Sequence, residues 1–168
     1  MRIRRITEAT PAEIDGLCDV LVDCVEGGAS IGFMLPMTHD KAQRFWRKVA
    51  DSAARGERIL LVAEEGDRIV GTVQVVVDLP ENQPHRADIA KMQVHRSQRR
   101  KGTGEALMRA AEEAARAAGR TLLVLDTASA DAERLYERCG FRRVGTIPAY
   151  ALLPQGGWCD TVYFYKAL

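Results

Sequence analysis

The sequence predicts one domain of the α/β (or α+β) class, built on a single mixed sheet, and three observations carry that reading. Lys91 to Thr127 runs as apolar strand, glycine-bearing turn, helix and second apolar strand, which is a βαβ unit of ordinary length. The apolar stretches flanking Glu65-Gly66-Asp67-Arg68 read as an antiparallel hairpin. Four amphipathic helical segments interleave with the strands instead of following them as a block. At 168 residues, with no repeat, linker or low-complexity segment, the chain suits one domain spanning residues 1–168 with a full core.

Arg2 to Thr7 is the first strand candidate. Thr10-Pro11-Ala12-Glu13 opens a helix: Thr10 caps it, Pro11 suits the first helical position, and Glu13 completes a capping box. Ile14, Leu17, Cys18, Leu21, Val22 and Val25 share one face of that helix, and Gly27-Gly28 ends it. The next segment, Gly27 to Met34, mixes glycines with large apolar residues at no regular period. It reads equally as a substrate-shaping loop and as a connector with a buried Phe33. Thr38 caps a second helix, Asp40 to Arg55, with Ala42, Phe45, Trp46, Val49 and Ala53 inward. Strands follow at Ile59 to Ala63 and Ile69 to Val77, then a proline-bearing loop, then a strand from Arg86 to Val94. In the helix from Glu105 to Ala118, the residues Leu107, Ala110, Ala111, Ala114 and Ala118 make a face small enough to lie close on a sheet. Glu112, Glu113 and Arg116 point outward. A helix ending at Gly140, a strand from Phe141 to Tyr150, a Pro/Gly turn and an alternating strand from Cys159 to Tyr165 complete the order.

The turn inside the βαβ unit, His95 to Gly104, points to a phosphate-bearing ligand. A helix N-terminus leaves about four backbone N–H groups unpaired and carries partial positive charge. Gly102 and Gly104 let a bulky anion approach the backbone, and Arg99, Arg100 and Lys101 add fixed charge there. The spacing is neither a Walker loop nor a dinucleotide fingerprint.

Composition excludes several classes. A net charge of +1 argues against nucleic-acid or membrane-surface binding. The basic start, Met1-Arg2-Ile3-Arg4-Arg5, is followed by no apolar signal region, and no apolar run approaches transmembrane length. Cys18, Cys24, Cys139 and Cys159 show no metal-ligand spacing and read as thiols in a reducing cytoplasm, and the three histidines are scattered, so no metal site is expected.

Arg99-Arg100-Lys101-Gly102-Thr103-Gly104, between an apolar strand and an amphipathic helix, resembles the coenzyme-A loop of the GNAT acetyltransferase superfamily, Q/R-x-x-G-x-G/A. Ser129 to Phe141 resembles that superfamily's second motif, N-x-x-A-x-x-L/F-Y-x-x-x-G-F. Ser129 stands where the family has Asn, and Arg96 where it often has Pro. The strand order fits the same fold, a twisted and mostly antiparallel sheet with a βαβ cofactor unit. Within the superfamily, Gly27 to Met34, Arg86-Ala87-Asp88, Leu125-Asp126-Thr127 and Arg143 to Tyr150 are similar to the tabtoxin-resistance acetyltransferases.

The resemblance implies an N-acetyltransferase using acetyl-CoA, with direct attack by a small-molecule amine, an amino-acid-like toxin or antibiotic among the options. Arg99, Arg100, Lys101, Gly102, Thr103 and Gly104 would hold the pyrophosphate. Backbone groups at Met92, Gln93 and Val94 would hold the pantetheine and the acetyl carbonyl, an oxyanion-type role. Ser129 stands at the position from which the family's Asn bonds the pantetheine arm, and its shorter side chain shortens or removes that bond. The resemblance tips the Gly27–Met34 loop towards the acceptor, through Gly28, Ser30 and Phe33.

Tyr136 is the candidate acid. A tyrosine of pKa ~10 is a weaker acid than a thiol of roughly 8.5, so full proton transfer is uphill by about 2 kcal/mol. A hydrogen bond to the leaving sulfur is then most of its work. Asp126 ends a strand where open α/β sheets place ligands, and could orient or deprotonate the amine. Asp88 is a second acidic group, and together they would form an anionic pocket. Cys139 suits packing better than attack. Two other readings share these residues: a non-catalytic acyl-CoA sensor, and a transferase acting on a protein or peptide amine. The C-terminal strand and the Phe33 loop offer a homodimer contact.

Overall fold

A computed structural model describes residues 1–168. The elements are β1 (Arg2–Ile6), α1 (Pro11–Glu26), α2 (His39–Ala54), β2 (Arg58–Glu65), β3 (Arg68–Val76), β4 (Arg86–Val94), α3 (Thr103–Ala117), β5 (Leu122–Thr127), α4 (Ala130–Arg138), β6 (Arg142–Leu152) and β7 (Trp158–Ala167). They form one seven-stranded sheet in the order β1-β2-β3-β4-β5-β7-β6. Every neighbouring pair is antiparallel except β4 and β5, which α3 connects. Each expected element is present, with ends shifted by one to a few residues. No helix is long and apolar enough to cross a membrane.

The pleat of the strands builds a core on each face. Along β2, Ile59, Leu61 and Ala63 join the cluster with α3 and α4, while Leu60 and Val62 join the cluster with α1 and α2. Each fully buried large aliphatic or phenyl side chain, such as Leu17 or Phe164, contributes about 1.5–3 kcal/mol. The α1 cap is as expected: Thr10 Oγ1 accepts the Glu13 N–H at 3.3 Å and Glu13 Oε2 accepts the Thr10 N–H at 2.6 Å. Such a cap contributes about 1 kcal/mol.

Two helix faces differ from the periodicity reading. Val20 and Cys24 are buried along with the expected face of α1, because that helix is covered by the sheet on one side and by α2 on another. In α3 the buried residues are Thr103, Leu107, Met108, Ala111 and Ala115, while Ala118 is exposed and Ala110 and Ala114 are only half-buried. Glu112 does not point freely outward; it pairs with Lys166 of β7 at 2.6 Å.

The feature that positions a site is the parting of β4 from β5. The two strands pair only over Arg86↔Leu122, Ala87↔Leu123 and Asp88↔Val124. Beyond that, β5 continues against β7 and β4 against β3. A bulge at Lys91-Met92 accompanies the divergence: the register moves from Gln74↔Ala90 to Thr72↔Gln93, and Lys91 has φ 50°. A bulge bends its strand, and here the bend leaves a wedge open between the C-terminal ends of the two parallel strands.

Candidate active site

The wedge has an unpaired wall. The His95 N–H donates to the Val70 carbonyl at 2.9 Å. Antiparallel alternation then directs the Gln93 backbone to β3 as well, and turns that of Val94 to the opposite edge, towards the gap. The Val94 carbonyl already accepts from Arg99 Nε at 3.3 Å and from the Cys24 thiol at 3.6 Å. Gln93 also turns its side chain into the protein, 2 % exposed and with neither amide atom paired. Of the three strand residues read from the sequence, Met92 and Val94 line the wedge and Gln93 lies behind it.

At the end of this wall a short 3-10 turn, Arg96–Gln98, leads into the start of α3. Gly102 is the N-cap at φ 83°, with no side chain capping the helix, so the first N–H groups of α3 are free to meet an anion. A Cβ on Gly104 would lie 3.0 Å from Leu135 Cδ2, so the missing side chain lets α4 pack against the first turn of α3. Arg100 and Lys101 are exposed and have no protein partner, whereas Arg99 folds back on Val94; Thr103 is buried, its hydroxyl 3.4 Å from the Gln98 carbonyl.

Asp23 of α1 ties this loop down, a role that no local pattern marks. Its carboxylate accepts the Arg96 backbone N–H at 2.7 Å and the Arg96 guanidinium at 2.8 Å, across 73 residues of chain. Burial pushes the Asp23 carboxyl up, but the Arg96 backbone and guanidinium, with His95, hold it below its ordinary value.

Tyr136 sits on the α4 side of the wedge, 5 % exposed, its ring 6.0 Å from both Phe141 and Phe164. It is at once a core aromatic and one residue from Leu135, the side chain that meets Gly104. No protein group hydrogen-bonds its hydroxyl. Burial pushes its pKa up, and the charges of Asp126 and Cys139 add to the shift. Ser129 is the N-cap of α4, its hydroxyl accepting the Ala132 N–H at 3.4 Å. Burial, with Glu112 and Glu105, also pushes the Cys139 thiol up, which disfavours a nucleophilic thiolate there.

On the other face of the sheet, beyond the cover of α1 and α2, lie the acidic residues. Asp126 accepts a hydrogen bond from the Thr161 hydroxyl at 2.7 Å. Asp88 pairs with Arg86 at 2.5 Å; burial pushes its carboxyl up against that pairing, and Asp126 adds to the rise. The expected acidic pair is present, but Lys91 and Arg58 share its surroundings. Burial lowers the Lys91 ammonium from its ordinary value, Asp126 opposing and Arg58 adding to the effect. Holding a non-glycine residue at positive φ, as at Lys91, costs about 1–3 kcal/mol. Nearby, the hydrogen bond with Tyr150 and burial push Tyr163 to about 12.

The segment from Gly27 to Pro36 bridges the two halves of this site. At one end Gly27 packs beside Arg96, where a Cβ would be 3.1 Å from the Arg96 Cδ. In the middle, a Cβ on Gly32 would sit 3.4 Å from Lys91 Nζ. At the far end the Leu35 N–H donates to the Pro154 carbonyl at 2.9 Å, and the Cys159 thiol donates to the Ser30 hydroxyl at 3.4 Å. Gly28, at φ 85°, follows the end of α1. Phe33 turns away to meet Phe45 of α2 edge-on at 5.1 Å. Gly28 and Ser30 therefore belong to a strap over the cleft, and Phe33 anchors it.

Comparison with known proteins agrees with this geometry. The acetyltransferase (GNAT) domain family matches residues 56–143. An uncharacterized N-acetyltransferase in the hisH-hisA intergenic region of Azospirillum brasilense is 30% identical over 158 residues, covering 93% of this chain and 90% of that protein. Among solved structures, the ribosomal-protein-alanine N-acetyltransferase of Brucella melitensis superposes with a TM-score of 0.82 at 23% identity, over 100% of both chains. A phosphinothricin acetyltransferase of Sinorhizobium meliloti, solved in complex with acetyl-CoA, superposes with a TM-score of 0.80 at 18% identity, covering 99% of this chain and 88% of that one.

Proposed function

The chain belongs to the GNAT acetyltransferase family, whose cofactor is acetyl-CoA, and from that premise we propose that it acetylates the amine of a small molecule by direct attack in a ternary complex. The observation that carries this reading is the open wedge between β4 and β5, with a basic helix start at one end and a charged pocket beside it. The residues fit the cofactor: Val94 turns its backbone N–H to the gap, its carbonyl being taken by Arg99 and Cys24, and Gly102, Thr103 and Gly104 offer free N–H groups beside Arg100 and Lys101. When bound, acetyl-CoA supplies the acetyl group as a thioester.

The chain's own groups divide the work. Arg100, Lys101 and the start of α3 hold the pyrophosphate, with Arg99 shielding the bend. The backbone at Met92 and Val94 orients the pantetheine and polarises the acetyl carbonyl, and Ser129 borders its arm. Asp126 and Asp88 position the acceptor amine and take up its proton, directly or through water. Burial pushes the Asp88 carboxyl up, which suits it to accept a proton. The Tyr136 hydroxyl donates to the departing sulfur. The phosphinothricin relative, named for a small acceptor, favours a small-molecule amine here; the Brucella relative, named for a protein amine, is the competing precedent. The exposed apolar side chains Val144 and Ile147 on the edge strand β6 support a homodimer contact.

Thiol release from acetyl-CoA with a panel of small amines, amino acids and peptides tests the reading. Turnover with small amines and none with peptides is expected; turnover with peptides alone would overturn it. Tight acetyl-CoA binding without turnover of any amine would leave the sensor reading in its place. In the same assay Asp23→Ala raises the KM for acetyl-CoA about 10-fold, the scale of one hydrogen bond to a charged group, and changes kcat little. An unchanged KM would mean that the phosphate loop holds its shape without the tether to α1.

A further inference from the structure

The acceptor side of the cleft holds five charges, Arg58, Arg86, Asp88, Lys91 and Asp126, and only Arg86 and Asp88 form an ion pair. Asp88 is bound by Arg86, and Asp126 by the Thr161 hydroxyl. Arg58 spends its Nε on the Ser52 hydroxyl at 2.8 Å and its Nη1 on the Gln74 amide oxygen at 2.7 Å, both neutral groups. Lys91 makes no hydrogen bond or ion pair within the protein, although it is half-buried and lies under the strap at Gly32. Two partly buried cations therefore stand without a carboxylate, on the same face as two carboxylates. Neither cation has a protein carboxylate within ion-pair distance, although Asp126 acts on Lys91 from further off, and a ligand carboxylate would supply the missing contact.

The backbone adds an independent observation. Lys91 occupies the bulge that parts β4 from β5, at φ 50°. The bulge directs this ammonium to the face of Asp126 and Arg58, where strict alternation from Ala90 would have turned it to the α3 side. A strained position that aims an unpaired cation into the cleft fits a ligand contact better than a packing role.

We infer that the acceptor is a zwitterion of the α-amino-acid kind, whose carboxylate binds Lys91 with Arg58 behind it, while its amine faces Asp126 and Asp88. This rests on the small-amine reading above and narrows it. A simple cationic amine would meet two uncompensated cations, and the N-terminus of a peptide carries an amide where the carboxylate is needed.

The test pairs each of several L-amino acids with its own carboxamide and its decarboxylated amine, in acetylation assays and in calorimetric titration of the coenzyme-A-bound protein. In the wild type the acid form is expected to bind about 10- to 100-fold more tightly than the carboxamide, the scale of one charge-assisted hydrogen bond. In Lys91→Met the ratio of kcat/KM between acid and carboxamide falls towards one through a higher KM for the acid, and Lys91→Arg restores part of it. Melting temperature and acetyl-CoA affinity, followed in parallel, show that Lys91→Met has folded. Preference for carboxamides or decarboxylated amines in the wild type, or an acid preference that survives in a folded Lys91→Met, overturns the inference alone. Acetylation of peptides with none of these small compounds overturns the small-amine reading and the inference with it.

Discussion

Tyr136→Phe lowers kcat about 10- to 1,000-fold, the range for losing an acid catalyst or one preorganised donor, and leaves the KM for acetyl-CoA nearly unchanged. The phenylalanine ring keeps the contacts with Phe141 and Phe164, so the core and the melting temperature are preserved. Only the hydroxyl is lost, and no protein group hydrogen-bonds it. The raised pKa of Tyr136 defines the role more closely. Burial makes the hydroxyl a weaker acid than an ordinary tyrosine, so complete transfer of its proton to a thiolate is further uphill than reference values imply. Its work is to hydrogen-bond the sulfur as charge develops. The sign of the pH dependence follows: a raised pKa keeps the donor protonated to higher pH, so Tyr136 causes no alkaline loss of rate below pH ~10, the ordinary tyrosine value. The rate instead rises with pH as the acceptor amine loses its proton. Full turnover in Tyr136→Phe would remove the hydroxyl from the mechanism and leave the enzyme.

Gly102→Val weakens acetyl-CoA binding about 10- to 100-fold, corresponding to the 1–3 kcal/mol cost of a non-glycine residue held at positive φ. Gly102 caps α3 at φ 83°, a conformation that a β-branched residue adopts only as an outlier. Nothing lies within 4 Å of a Cβ built there, so the harm comes from backbone strain at the helix start and from a side chain filling the space an anion must enter. Either effect misplaces the first N–H groups of α3. Calorimetric titration with acetyl-CoA reads the loss, and coenzyme A without the acetyl group loses the same factor because the defect is at the pyrophosphate. Undiminished affinity would mean that the helix start does not hold the phosphates.

The two residues stand out in the sequence for different reasons. Gly102 follows three basic residues at the start of an amphipathic helix, a local signal, whereas Tyr136 is marked only by the resemblance of Ser129 to Phe141 to the GNAT second motif. The βαβ unit, the hairpin, the capping box at Thr10 and the order of the elements have local signals as Gly102 does, since each depends on residues a few positions apart. The α3 face was read only in part. Periodicity marks an apolar stripe, but packing against the sheet covers Met108 and Ala115, while Ala118 is the C-cap and lies exposed beyond the last helical residue.

Tertiary structure decided the remainder. The wedge exists because β4 bends at Lys91, and an ordinary lysine in a strand gives no sign that its φ is positive. Asp23 joins the phosphate loop through Arg96, 73 residues away, from a helix whose pattern describes only its buried side. The acidic pair was visible as two aspartates, but the unpaired cations beside it come from β2 and from the bulge of β4, so the pocket is dipolar where composition along either strand suggested an anionic one. Phe33, read as part of the acceptor wall, is drawn to Phe45, because a large ring gains more by packing on α2 than by lining a solvated cleft. Local patterning determines which elements form and where a helix offers free N–H groups; which charges face one another across a cleft depends on register and bulges, set by the packing of the whole sheet.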